Sequence, residues 1–148
     1  MKLAIGADHG GYLLKEVVKN WLDQHGVAYE DFGTFSEASV DYPEIAAKVG
    51  HAIVDGKCDR GILVCGTGIG ISIAANKIKG IRAAVCADEF CAEYCRRHNN
   101  ANILCMGGRV LSDELALRMV ELYLNTEFEG GRHQRRVDMF TALENEQM

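Results

Sequence analysis

The sequence predicts an α/β protein: a five-stranded parallel sheet covered by helices on both faces, with one helix added at the C-terminus. Two observations predict it. Apolar strand-like runs alternate with helix-period patterns along the whole chain, and parallel strands require such crossovers. The 148 residues suffice for one core and leave no room for a second domain of normal size, so residues 1–148 read as a single domain.

Leu3-Ala4-Ile5-Gly6-Ala7 reads as the first buried strand. Leu14, Val17, Val18 and Trp21 then follow the i, i+3, i+4, i+7 spacing of an amphipathic helix, with Gly26 as its stop. Val27 to Phe32 is the second strand. Pro43 suits the first turn of a helix whose inner stripe is Ile45, Val49, Ala52 and Ile53, ending before Gly56. Gly61-Ile62-Leu63-Val64-Cys65 is the clearest buried strand, followed by Gly66 to Gly70 and a helix reaching about Lys77. Arg82 to Cys86 is the fourth strand, and Asp88 is a good N-cap for a helix ending near His98. Ile103 to Met106 is the fifth strand. Ser112 caps a helix to about Leu124, with Asp113 and Glu114 placed favourably at its positive end. Past Glu129-Gly130-Gly131, Val137, Phe140 and Leu143 line one side of a last helix, a face available to a partner subunit.

Composition excludes several classes. A chain 48% hydrophobic and 25% charged is average for a globular domain, so disorder, fibrous repeats and coiled coil fit poorly. No apolar run approaches the ~20 residues that cross a bilayer. The N-terminus lacks the apolar stretch of a signal peptide, which points to the cytoplasm. A net charge of −5 argues against nucleic acid and anionic membranes as partners, since both need a basic surface.

Six cysteines are present: Cys58, Cys65, Cys86, Cys91, Cys95 and Cys105. In an unsecreted chain they are expected as reduced thiols. No C-x-x-C pair occurs. Cys91, Cys95 and His98 share a helical face, but no fourth ligand is evident, and the expectation is no metal.

In open parallel sheets ligands bind beyond the carboxyl ends of the strands, near the switch in strand order. That rule selects Asp8-His9-Gly10-Gly11, Gly66 to Gly70 and Gly107-Gly108-Arg109. The run Gly66-Thr67-Gly68-Ile69-Gly70 opens a helix, where backbone amides and the helix dipole converge on an anion. It is not a dinucleotide fingerprint, because Ile71 takes the third glycine's place, and no Gly-Lys-Ser/Thr makes it a P-loop. Cys65 ends the strand before it, and a helix N-terminus generally favours a thiolate. A cysteine phosphatase would need Cys-x5-Arg, and the residue at that place is again Ile71.

Arg132 and Arg136, four apart on the last helix, would repel each other unless an anion lies between them; Arg135 neighbours them. His98 follows a helix C-terminus, a position that suits an acid acting on a sugar oxygen. His9, beside Asp8, is expected to be oriented by a carboxylate or to donate to an anion. His25 and His51 carry no assignment, and His133 can belong to the arginine pair or to the surface.

Ala7-Asp8-His9-Gly10-Gly11, Asp41-Tyr42-Pro43, Cys65-Gly66-Thr67-Gly68-Ile69-Gly70, His98-Asn99-Asn100-Ala101-Asn102 and Gly131-Arg132-His133-Gln134-Arg135-Arg136 occur in that order. In these motifs, and over nearly its whole length, the chain resembles the type B ribose-5-phosphate isomerase family, which includes the galactose-6-phosphate isomerase subunits. The resemblance implies a Rossmann-like three-layer α/β/α sandwich, a homodimer or dimer of dimers with sites at the subunit interface, and cofactor-free aldose–ketose isomerisation of sugar phosphates. It further implies Cys65 as the base moving a proton between C1 and C2, with Thr67 beside it. His98 corresponds to the acid that opens the furanose ring. The amides of Gly66, Thr67, Gly68, Ile69 and Gly70 match the anion hole for an enediolate. Asp8, His9, Asn99 and Arg109 match substrate contacts, and Arg132 and Arg136 the phosphate clamp. Ribose 5-phosphate is the leading substrate. A six-carbon 6-phosphate such as allose or galactose 6-phosphate is the alternative within the class, and a non-catalytic sugar-phosphate sensor the alternative outside it.

Overall fold

The computed structural model describes all residues, 1–148. Its strands are β1 (Lys2–Ala7), β2 (Ala28–Asp31), β3 (Arg60–Cys65), β4 (Ala83–Val85) and β5 (Ile103–Gly107). Its helices are α1 (Tyr12–Gln24), α2 (Tyr42–Val54), α3 (Ile69–Ala75), α4 (Glu89–Arg97), α5 (Asp113–Asn125) and α6 (Arg132–Glu144). The sheet is wholly parallel in the order β2-β1-β3-β5-β4. The expected α/β architecture is therefore observed, including the extra helix.

Each face of the sheet carries its own core. Leu3, Ile5, Ile62, Val64, Leu104 and Met106 turn towards α1, α4 and α5, where Leu14, Val18, Cys95, Met119 and Tyr123 meet them. Ala4, Leu63, Ile103 and Cys105 turn to the other face, against Ile45 and Val49 of α2 and Ile71 of α3. Strands buried on both faces read as continuous apolar runs, which is why β1, β3 and β5 are so plain in the sequence. The caps form as expected: the Asp88 carboxylate accepts from the Cys91 amide at 2.7 Å, and Ser112 Oγ from Leu115 at 3.2 Å.

Three elements are shorter than their patterns suggest, β2 losing one residue at each end of the expected Val27 to Phe32. α3 stops at Ala75 because the Asn76 side chain turns away to strap β4, donating to Ala83 O at 2.9 Å and accepting from Ala83 N at 2.8 Å. β4 begins after Arg82, whose amide donates instead to Asn102 Oδ1 at 2.7 Å.

Lys15 on α1 is a charge that the helical periodicity hides. Its side chain is 1% exposed, and Nζ donates to both Asp31 oxygens (2.8 and 2.7 Å) and to Thr34 O. Burial opposes the charged form of Asp31, yet Lys15, the Gly33 amide and Lys19 outweigh it and hold the carboxyl below its usual range. Lys15→Met removes the buried partner and leaves Asp31 to Lys19, 2.9 Å away, and the Gly33 amide, so it is expected to cost about 2 kcal/mol in a urea melt, the loss of hydrogen bonds to a charged group. A carboxyl depressed in the folded state stabilises above its unfolded pKa and loses that contribution as pH falls through the folded value. The wild type is thus expected to lose this stability below about pH 4, and Lys15→Met to show a flatter acid limb.

Candidate active site

β1 leads outward to β2 on one side and to β3 on the other, so strand order reverses between β1 and β3. The turns leaving these two strands meet there: a Cβ placed on Gly10 would lie 3.0 Å from the Gly66 amide. Asp8 is buried, and its Oδ1 accepts from the amides of Gly10 (2.9 Å) and Gly11 (3.1 Å), fixing the first turn.

Cys65 ends β3 with its thiol buried at 4% exposure. The chain then turns through Gly68, whose φ of +82° suits glycine at the N-cap of α3. That turn aims the Gly68 amide at Cys65 Sγ, 3.1 Å away. The Ile69 amide meets Thr67 Oγ1 at 3.2 Å. Two of the five amides expected in the anion hole are therefore directed at side chains, while Gly66 and Gly70 open the loop on either side. Arg109 joins this group from the end of β5: its amide donates to Gly66 O at 3.0 Å, and its guanidinium lies over Gly66.

His9 is oriented differently from the sequence expectation. Its Nδ1 faces the Val40 amide, the N···N distance being 3.2 Å, so the orienting partner is a backbone donor and not a carboxylate. With Nδ1 as acceptor, a neutral ring carries its proton on Nε2, which is left to donate. Sequence reasoning also gave no role to the loop that provides this amide. Residues 39–44 line an open hollow with Asp8 and His9, and the Tyr42 ring lies over Gly70, where any side chain would meet Oη at 2.8 Å. The Asp41-Tyr42-Pro43 motif was the available signal.

The remaining candidates lie elsewhere. α4 carries the chain from the carboxyl edge of the sheet back to its amino edge, and His98 is its C-cap. Gly61 at the start of β3 donates to Asn102 O, which places the segment after His98 at that amino edge. The length of β3 separates the two edges, about 20 Å at 3.3 Å per residue. His98 and Asn99 line a second hollow with His133 and Arg136 of α6, which extends along α4 to Val85 and Phe90. Arg132 opens the same helix, and the N-cap is Gly131. The His98 and His133 rings stack at 4.0 Å with 10° between planes, and Glu129 Oε1 lies 3.6 Å from each Nε2. Thus Asp8, His9, Cys65, Gly66, Thr67, Gly68, Ile69, Gly70 and Arg109 gather in one region of the chain. His98, Asn99, Arg132 and Arg136 gather in another, and a single chain does not bring the two together.

Cys91 and Cys95 do not pair with His98 as a ligand set; Cys95 is buried and its Sγ contacts Ala92 O, while Cys91 is exposed. All six thiols are free. The donor atoms of His98, Glu129 and His133 lie within 4.8 Å of one another. Their imidazole planes are nearly parallel, however, and lone pairs lying in parallel stacked planes do not converge on one ion.

A family model described as Ribose/Galactose Isomerase matches residues 3–140. Ribose-5-phosphate isomerase B of Escherichia coli is 48% identical over 143 residues, covering 97% of this chain and 96% of that protein. The solved ribose-5-phosphate isomerase B of Clostridium thermocellum aligns over 100% of both chains with a TM-score of 0.98 and 51% identity. That of Mycoplasma genitalium, solved with bound ribulose-5-phosphate, covers 98% of this chain and 97% of its own at TM-score 0.93 and 39% identity. The order of motifs, the switch-point cysteine and these likenesses agree: the chain belongs to the ribose/galactose isomerase family.

Proposed function

We propose that the chain interconverts D-ribose 5-phosphate and D-ribulose 5-phosphate without a metal or cofactor, at sites each completed by a second copy. The observation that carries this reading is Cys65, a buried thiol at the topological switch point with an amide directed at its sulfur and Arg109 alongside. The relatives named ribose-5-phosphate isomerase B supply the substrate class.

The reaction follows from these positions. His98 protonates the ring oxygen as the bond from C1 to that oxygen breaks and the anomeric hydroxyl gives its proton to water, which opens the furanose to the C1 aldehyde. The Cys65 thiolate takes the proton from C2 and returns it to C1 on the same face, through a cis-enediolate, while a second proton passes from the C2 hydroxyl to the C1 oxygen. The enediolate oxygen gathers the developing charge, and the amides of the Gly66–Gly70 loop that are not directed at Cys65 Sγ or Thr67 Oγ1 hold it. His9 Nε2–H, Asp8 and Asn99 contact hydroxyls. Arg132 and Arg136 grip the phosphate, and that remote binding energy offsets the cost of holding the open chain in place.

Acid and clamp sit at the amino edge and the base at the carboxyl edge, so the two halves must come from different chains. A twofold axis that lays each amino-edge half-site over its partner's carboxyl-edge one creates two whole sites at once. The exposed apolar residues Val85, Phe90 and Phe140 line the hollow that contains His98 and are available to such a partner.

The direct test is conversion of ribose 5-phosphate in the presence of a chelator, with allose and galactose 6-phosphates run in parallel. Faster turnover of the five-carbon sugar supports the reading. Turnover confined to a six-carbon sugar moves the assignment within the family, and binding without turnover replaces it with a sensor. A charge-assisted hydrogen bond to phosphate contributes roughly 1.5–3 kcal/mol. Arg136→Ala is therefore expected to raise KM by about 10-fold to 100-fold with a smaller change in kcat. Steady-state kinetics read this directly, and an unchanged KM removes Arg136 from the clamp.

A further inference from the structure

Glu129 stands outside every motif that pointed to the function, yet three side chains converge on it. Its Oε1 is 3.6 Å from Nε2 of both His98 and His133, and its Oε2 accepts from Arg97 at 3.2 Å. The backbone holds it there: the Glu129 amide donates to Arg97 O at 3.0 Å, and the His133 amide to Gly130 O at 3.1 Å. The position is not a core one, since the Glu129 side chain is 40% exposed, and exposed ion pairs contribute little to stability. What the contacts fix is the His98 ring. One face lies on His133, which is itself buried, and Tyr94 meets the ring edge-on at 5.0 Å. Stacking and edge contacts leave an imidazole free to slide or turn in its plane. A charged group facing a ring nitrogen opposes that motion, and Glu129 Oε1 faces Nε2 at 3.6 Å, within ion-pair range.

We infer that Glu129 is a positioning residue for ring opening, holding the stacked His98–His133 pair at a fixed angle to the sugar. The inference rests on the proposed role of His98 as the ring-opening acid. Burial, the His98 imidazole and Arg132 all push the His133 pKa down, against Glu129; the second ring therefore acts as a neutral platform.

The test compares two substrates in the intact wild-type and variant enzymes. Ribose 5-phosphate is mostly cyclic, whereas an aldotetrose 4-phosphate has its terminal oxygen esterified and cannot close a furanose. Glu129→Gln is expected to lower kcat on ribose 5-phosphate about tenfold, with KM within about twofold and a clearly smaller loss on the tetrose phosphate. Glu129→Asp, which keeps the charge, is expected to fall between Gln and wild type. Equal losses on both substrates make Glu129 merely structural and overturn the inference. Wild-type kinetics in Glu129→Gln overturn it too, as does an Asp variant no better than Gln. His98→Asn in the same assay separates the two readings. If it loses activity on the cyclic substrate selectively while Glu129→Gln does not, the positioning role alone falls. If His98→Asn strikes both substrates equally, the acid assignment falls and takes the positioning role with it.

Discussion

Cys65→Ala is expected to lower kcat for ribose 5-phosphate by at least about 10³-fold, within the range a positioned acid–base group supplies. The reason is stoichiometric as well as electrostatic. One proton leaves C2 and reaches C1, so a single base must receive it and return it, and deleting that base stops both half-steps together. No other thiol can substitute: Cys105 lies wholly inside the sheet, where burial pushes its pKa up, Cys58 precedes β3 at the opposite end of the strand and burial raises its pKa too, and Cys86, Cys91 and Cys95 belong to the hollow beside α4. In the proposed site the clamp comes from the partner's α6 and grips the phosphate, at the opposite end of the sugar from C1 and C2, so binding of a phosphate-bearing inhibitor is expected to change by less than about threefold. Calorimetric titration beside the kinetic assay separates the outcomes. Turnover comparable to wild type removes cysteine as the base, and loss of binding together with turnover indicates a collapsed site. Cys65 packs at the end of a central strand beside Gly68, so Cys65→Ser, close to it in size, is the companion variant. It should fold like wild type and still lack a base, because a serine hydroxyl is far less acidic than a thiol.

His98→Asn carries the second large effect, and it is selective by substrate. Asparagine retains a donor at similar reach but no titratable proton, so it can bind the ring oxygen and cannot protonate it. The expected loss in kcat/KM on cyclic ribose 5-phosphate is about 10²-fold, against a loss of less than about fivefold on a substrate that cannot cyclise. Pre-steady-state mixing with both substrates reads the ratio. Equal losses take ring opening away from His98, whatever their size.

Much of this was legible in the sequence because the relevant pattern was local. Buried parallel strands cannot alternate in polarity, so β1, β3 and β5 stand out as apolar runs, and Asp88 and Ser112 mark their helix starts by cap chemistry alone. The turn chemistry of Gly66 to Gly70 located one half-site. What the local pattern concealed was longer in range. Asn76 ends α3 by reaching across to β4, and Lys15 sits at a helical position whose burial depends on Asp31, sixteen residues away. The amide that orients His9 comes from Val40, in a stretch without periodicity. Glu129 read as a charge before two glycines, and only folding brings it against two imidazoles and Arg97.

The division of the site is a different case. A helix that starts after β4 and ends before β5 must deliver His98 to the amino edge of the sheet, opposite Cys65. The order of elements therefore carries the separation, without any side-chain detail. It follows that the residues proposed for the site all lie on one chain but are not brought together within it.

Subunit complementation tests that central claim most directly. Cys65→Ala and His98→Asn are each expected to be nearly inactive on ribose 5-phosphate as pure proteins. Co-expressed in equal amounts, they should recover about a quarter of wild-type activity, because half the dimers are mixed and each mixed dimer holds one intact site. Recovery near that level, tracking the fraction of mixed dimer isolated with two different tags, is the predicted result. Mixed dimers as inactive as their parents would place Cys65 and His98 of one chain in the same site and contradict the account.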